Sequence, residues 1–209
     1  MTVLWDWNGT LIADVSHVVK INNMVFAAYG YRDTTEEEYR SLFRFPVKDY
    51  YLDYGVTEED FVLLAREWNE KYVESFDEVP LSPHVAETVR RFQAAGFRQV
   101  ILSASQVDQL RSQVARFAEL EGVFDEMLGI SDVYAAGKVQ LAKDYLARSG
   151  IDPAETVFIG DTNHDAEVAQ AIGVRCLLVS GGHQNDDVLK KTGATVLKSL
   201  EDACELLGV

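Results

Sequence analysis

Basic residues are scarce in this sequence: 19 lysines and arginines stand against 34 aspartates and glutamates, giving a formal net charge of −15. Nucleic-acid binding needs a cationic face to displace counterions from phosphates, so the composition argues against it. Anionic membrane surfaces are poor partners for the same reason. No apolar run approaches the length of a bilayer span. No basic segment and apolar stretch precede the first strand-like residues, so a signal peptide is not expected. Cys176 and Cys204 are the two cysteines, far apart in the chain. A disulfide framework is therefore not expected, and a reducing cytoplasm fits. Internal repeats and low-complexity tracts are also missing. What is present is ample apolar material, 47% of 209 residues, enough for one compact domain or a domain with a sizeable insertion. An acidic chain that handles an anionic substrate must build a local positive site, from a metal or from a few placed cations.

The stretch Val3-Leu4-Trp5-Asp6-Trp7-Asn8-Gly9-Thr10 reads as a short buried strand running into a turn. Its carboxylate, Asp6, falls at the strand end, where open α/β sheets place their chemistry. After Thr10 the pattern turns helical, and between Ala13 and Val79 nothing resembles a strand. Val15, Val18, Val25 and Tyr29 share one face, with Asn22 interrupting the stripe. A short acidic helix over 35–43 is broken at Phe45-Pro46, a second runs from Val47 to Tyr54, and Thr57 caps a long one carrying Phe61, Leu64, Trp68 and Tyr72. After Leu81 strands and helices alternate. Ser82-Pro83 is expected to start a helix, followed by strands at Gln99–Leu102, Glu126–Leu128, Thr156–Ile159, Arg175–Val179 and Thr195–Leu197 with helices between them. Such alternation predicts a doubly wound α/β core with a mainly parallel, Rossmann-like sheet covered on both faces. The expected division is residues 1–12 plus 81–209 for the core and 13–80 for an all-helical cap above the strand ends.

Several polar residues fall at strand or helix ends. Asp161 and Asp165 are four apart, one at a strand end and one in the first turn of the next helix, so they can converge on one hard cation. Asp165 alone would also suit a helix N-terminus. Lys138 starts a helix, where the macrodipole disfavours a cation, and such a local conflict is typical of functional sites as well as of solvated lysines. Ser103 ends the second strand and is either functional or a helix cap, with Ser105 available for capping.

Asp-Trp-Asn-Gly-Thr-Leu at 6–11, Ile-Leu-Ser-Ala-Ser at 101–105, Gly-Lys at 137–138 and Ile-Gly-Asp-Thr-Asn-His-Asp at 159–165 occur in this order along nearly the whole chain. Together they resemble the haloacid dehalogenase-like superfamily, chiefly its phosphoglycolate phosphatase-type members with a helical cap. The resemblance implies a nucleophilic Asp6 that forms an aspartyl-phosphate, and Mg²⁺ held by Asp6, the Asn8 carbonyl, Asp161 and Asp165. It also implies that Lys138 and Ser103, with Ala104 beside it, contact the phosphoryl group. Gly9 and Thr10 are further candidates to bind phosphate. Arg44 and Lys48 are the cap residues available for an anionic substrate, or are solvated surface charges.

Asn8 departs from the pattern. Most phosphatases of the superfamily carry an acid–base aspartate there, and an amide can neither give nor take that proton. His17 and His164 are possible replacements, and His183 sits beyond another strand end, although each also fits a structural or surface role. The expected activity is Mg²⁺-dependent hydrolysis of a small phosphorylated metabolite. A metal-independent dehalogenase and a silenced phosphate-ligand binder stay open beside it.

Overall fold

The computed structural model describes residues 1–130 and 137–209. Six strands form one parallel sheet: β1 (Thr2–Trp5), β2 (Arg98–Gln106), β3 (Glu126–Ile130), β4 (Thr156–Gly160), β5 (Arg175–Val179) and β6 (Thr195–Leu197). Their order is β3-β2-β1-β4-β5-β6. Trp5, the last residue of β1, pairs with Ile101 on one side and Ile159 on the other, so these three residues lie level across the central strands. Asp6 follows directly, at the point where the chain order reverses between β1 and β4. That is where a doubly wound sheet opens a crevice beyond its strand ends.

The central strands carry buried apolar runs, Val3-Leu4-Trp5, Val100-Ile101-Leu102 and Val157-Phe158-Ile159, because both faces are covered. Val3 and Trp5 point to one layer, which includes α5 (Val85–Ala94) and α10 (Glu201–Leu207). Leu4 points to the other, against α7 (Lys138–Ser149) and α8 (Asn163–Ile172). Two further helices, α6 (Val107–Val114) and α9 (Asp186–Lys190), complete the core's alternation. None of the described helices is long and apolar enough to cross a membrane.

Between β1 and α5 the regular elements are helical: α1 (Val15–Ala28), α2 (Glu36–Leu42), α3 (Val47–Tyr54) and α4 (Glu58–Glu74), with one short 3₁₀ turn. Thr35 and Thr57 cap α2 and α4 by accepting the Glu38 and Asp60 amide protons. Asn22, the break in the α1 stripe, is buried and bonded to the hydroxyls of Tyr50 and Tyr51, so it belongs to the interior after all. The two connections to this insertion lie side by side. Ala13 N donates to Pro80 O at 3.0 Å and Ser82 N to Leu11 O at 3.0 Å.

Three local expectations are corrected. Ser82-Pro83 does not start α5; the Ser82 amide is used in tying the two connections, and a left-handed His84 (φ 62°) precedes the first helical residue, Val85. β2 runs on past Ser103 to Gln106, after a register shift against β3. Ser105 is therefore strand, and α6 is capped by Gln106, whose side chain accepts the Gln109 amide proton.

One polar tie crosses this interior. Gln99, fully buried in β2, accepts from Trp5 Nε1 at 3.1 Å and donates to the Val89 carbonyl at 2.8 Å. Replacing Gln99 by Met leaves the buried indole N–H without a partner. The expected cost is about 1–3 kcal/mol, read as a lower urea midpoint at unchanged denaturant slope.

Candidate active site

Three strands and two helix starts converge beyond the sheet. Asp6 follows β1, Ser103 lies in β2, Asp161 follows β4, and Asp165 sits in the first turn of α8. Lys138, the first residue of α7, points its ammonium into this group. It is buried and donates to Asp6 Oδ1 and, at 2.6 Å, to Asp165 Oδ1. Its unfavourable place at a helix start is thus offset by two carboxylates, which together overcome burial and hold its pKa above the usual lysine value.

Each acid is fixed differently. Asp165 forms a capping box: its Oδ2 accepts from the Thr162 amide at 2.9 Å, the Thr162 hydroxyl at 2.7 Å and the Asp161 amide at 3.1 Å. Burial opposes its charge, but Lys138 and these bonds win, and its pKa is held below the ordinary range. Asp161 accepts the Thr10 hydroxyl at 2.9 Å and the His183 amide at 2.6 Å. Burial nevertheless raises it to about 6, since the charge of His183 offsets only part of the desolvation. Asp6 is raised well above the usual carboxylate value, by burial first and then by Asp165 and Asp161, against the pull of Lys138. Oxygens of Asp6, Asp161 and Asp165 lie within 4.8 Å of one another.

The backbone must come close to hold this geometry. A Cβ on Gly9, which has φ +71°, would stand 2.3 Å from Asp161 Oδ2, and one on Gly182 would stand 2.2 Å from the same atom. Gly9 is therefore required twice, by conformation and by space.

A second layer surrounds Asn8, and sequence reasoning passed over most of it. Asp14, just before α1, is fully buried. Its Oδ2 accepts from Asn8 Nδ2 and from the Tyr72 hydroxyl, both at 2.8 Å. Its Oδ1 accepts the Gly9 amide at 2.8 Å and lies 3.2 Å from His183 Nε2. His183 Nδ1 is bonded to the Tyr39 hydroxyl at 2.8 Å. Asn8 Oδ1 in turn accepts from the Ser105 hydroxyl at 3.1 Å. Asn8 thus donates to a carboxylate and accepts from a hydroxyl, the polarity that an amide provides. Asp14 could have been suspected from sequence, being a lone acid at the mouth of the insertion. Tyr39 and Tyr72 read only as interior residues.

Not every candidate reaches the cluster. Gly9 N and the Thr10 hydroxyl are already bonded to Asp14 and Asp161. Arg44 pairs with Asp53 at 2.7 Å and Asp49 at 3.6 Å on the surface of the insertion, and Lys48 pairs with Glu58 at 3.3 Å. His17 is bonded to Ser75, and His164 pairs with Glu167 and packs on Phe45. Of these three histidines, His183 is the one in the site. Asp6, Asn8, Ser103, Ala104, Lys138 and Asp165 all face one cavity of about 540 Å³ beneath the insertion.

Burial disfavours the charged imidazole, yet Asp14, with help from Asp161 and Asp6, raises His183 to about 9. A histidine so raised adds stability that is full below its unfolded value near 6.5 and is lost as pH climbs through about 9. In chelator-treated protein, Asp14→Asn should lower the NMR titration midpoint of His183. The same change should flatten the loss of stability between pH 6.5 and 9. An unmoved midpoint would show that Asp14 does not hold the proton.

The comparisons agree with this geometry. A phosphoglycolate phosphatase from Synechococcus elongatus is 23% identical over 185 residues, covering 86% of this chain and 84% of its own. A haloacid dehalogenase-like family protein from Streptococcus pneumoniae superposes with a TM-score of 0.86 at 16% identity, over 99% of this chain and 97% of that one. Protein tyrosine kinase A of Mycobacterium tuberculosis gives a TM-score of 0.85 at 21% identity, over 100% and 98%. At these identities the structures establish the fold alone. The family model for haloacid dehalogenase-like hydrolases matches residues 3–179, and the chain belongs to that family.

Proposed function

We propose that this protein is a cytoplasmic, Mg²⁺-dependent phosphatase of phosphorylated small molecules, acting through Asp6. The observation that carries the reading is the buried acid cluster at the strand ends. Asp6, Asp161 and Asp165 converge, Lys138 bonds Asp6 and Asp165 directly, and burial pushes Asp6 and Asp161 toward the neutral form. Oxygen donors that are short of positive charge suit a hard divalent ion. Asp6, the Asn8 carbonyl and Asp161 would hold it. Asp165 would act from behind, because its oxygens already serve Lys138 and the α8 cap. Bound there, Mg²⁺ would offset the negative charge of a phosphoryl group. A dehalogenase reading leaves this convergence of acids without a purpose.

The chain's own residues supply the rest. Lys138 pulls Asp6 toward its ionised form against burial, and the positive charge a bound divalent ion would add would complete that shift and leave a carboxylate oxygen to attack phosphorus. A bond forms from that oxygen to phosphorus as the ester oxygen leaves with its electron pair and takes up a proton. Water then attacks the same phosphorus, releasing phosphate and restoring the Asp6 carboxylate. Lys138 and Ser103 face the cavity where the phosphoryl oxygens would lie. The insertion closes over it as a cap, hinged at the paired connections near Ile12–Ala13 and Val79–Leu81. A latch opposes opening: Arg40 Nε donates to Gly182 O and Gln184 Nε2 to Phe43 O, both at 2.9 Å.

Calorimetry should show one Mg²⁺ bound, and Asp6→Asn should abolish turnover. Asn8→Asp adds a carboxyl that shares Asp14's surroundings, where like charge favours its protonated, acid form. Hydrolysis of alkyl phosphates should then rise about 100-fold, with little gain for acyl phosphates, whose leaving groups need no proton. An unchanged alkyl rate would assign the proton to His183. Arg40→Ala with Gln184→Ala should speed amide exchange in α2 and α3 but not in β1 or β4. Equal protection in wild type and variant would argue against a latched cap.

A further inference from the structure

Resting on the phosphatase reading, we infer that the substrate is the phosphomonoester of an uncharged alcohol bearing a flat ring, rather than a carboxylated phosphometabolite. It rests on the part of the cavity wall that the insertion supplies. At about 540 Å³ it falls within the range of pockets that enclose drug-sized molecules, far more than a glycolate portion fills. Phe43, Phe45, Tyr50, Trp68 and Tyr72 line it from the insertion, together with Val18 and Val47. Away from the strand-end cluster the polar residues of the wall are neutral amides, among them Asn22, Asn69, Gln106 and Gln109.

Cations are what a second acidic group would need, and they lie elsewhere. The basic side chains among the described lining residues are Lys138 and His183. Lys138 is bonded to Asp6 and Asp165, and His183 is paired with Asp14. Arg44 and Lys48 are spent on surface carboxylates. Arg40 is bound to the Gly181 and Gly182 carbonyls and to Glu36. Residues 131–136, Ser-Asp-Val-Tyr-Ala-Ala, contain no basic side chain at all. A carboxylate on the leaving group would lose water against aromatic rings, near buried acids, without a partner. A neutral ring would instead gain apolar burial and edge or face contacts with those rings.

The test is a pair of esters alike in shape and different in charge: 4-carbamoylbenzyl phosphate and 4-carboxybenzyl phosphate, with phosphoglycolate alongside. In Mg²⁺ the carbamoyl ester should show a kcat/KM at least about tenfold above the carboxylated one and above phosphoglycolate. The corresponding benzylphosphonates, which cannot be hydrolysed, should bind in the same order by calorimetry. Val47→Lys, at an exposed position of the wall, should narrow or reverse the preference. Equal constants for the pair, or a preference for either carboxylated ester, would overturn the inference. Acetyl phosphate tests the underlying reading by itself. If its Asp6-dependent hydrolysis persists while the ring preference is absent, the inference alone is wrong. If hydrolysis of every ester is absent but the phosphonates keep their order, the selectivity stands and the phosphatase reading fails.

Discussion

Buried negative charge is the constraint on which this site depends. Asp6, Asp14, Asp161 and Asp165 all lie beneath the surface, accompanied by two buried basic side chains, Lys138 and His183. Four carboxylates against two cations leave two negative charges in a place where water cannot solvate them well. Hydrogen bonds relieve part of this, unevenly. Asp165 has its capping box and Lys138, and stays ionised; Asp6 and Asp161 have less, and drift toward the neutral form. One divalent cation would bring the group to neutrality. The unrelieved charge is therefore concentrated on Asp6 and Asp161.

The fold supplies the means of holding such charges together. Parallel strands end level, so residues that follow β1 and β4 emerge side by side although 151 positions separate Thr10 from its partner Asp161. The next helix begins at once and offers free amides, which Asp165 uses. Glycine removes the last obstacle, letting the backbone at Gly9 and Gly182 close around Asp161. These features are local, but they converge only because the sheet is parallel and doubly wound.

That convergence explains what could be read from sequence. The strand and helix alternation, the helical run from Val15 to Glu74 and the acids at the strand ends follow from periodicity and position, and they recur in the structure with small shifts. The lining supplied by the insertion does not follow. Arg44 and Lys48 were candidates because of charge, yet both meet carboxylates on their own surface, and local pairing of that kind has no periodic signature. Asp14, Tyr39, Tyr72 and His183 come from four separate segments, and only their packing makes them one network. Ser105 was assigned to capping because strand ends are hard to place. Two further residues of strand turn its hydroxyl toward Asn8 instead.

Asn8 gains a meaning from this network that position alone does not give it. A carboxylate there would be a fifth acid in a group with two cations, facing Asp14 across a hydrogen-bond distance now held at 2.8 Å by an N–H donor. The amide avoids that repulsion and steadies Asp14, which in turn anchors the Gly9 turn and His183. Tyr72 extends the same bond set into α4, and Tyr39 extends it into α2. The amide at position 8 and the contacts between insertion and core thus share atoms. Under the proposed reading, Asp6, Lys138 and the oxygens that would bind a metal all keep their places, while Asn8 is used to hold the network between core and insertion together. Its chemistry should accordingly favour leaving groups that depart with little protonation, and its selectivity should come from the aromatic wall that this network positions.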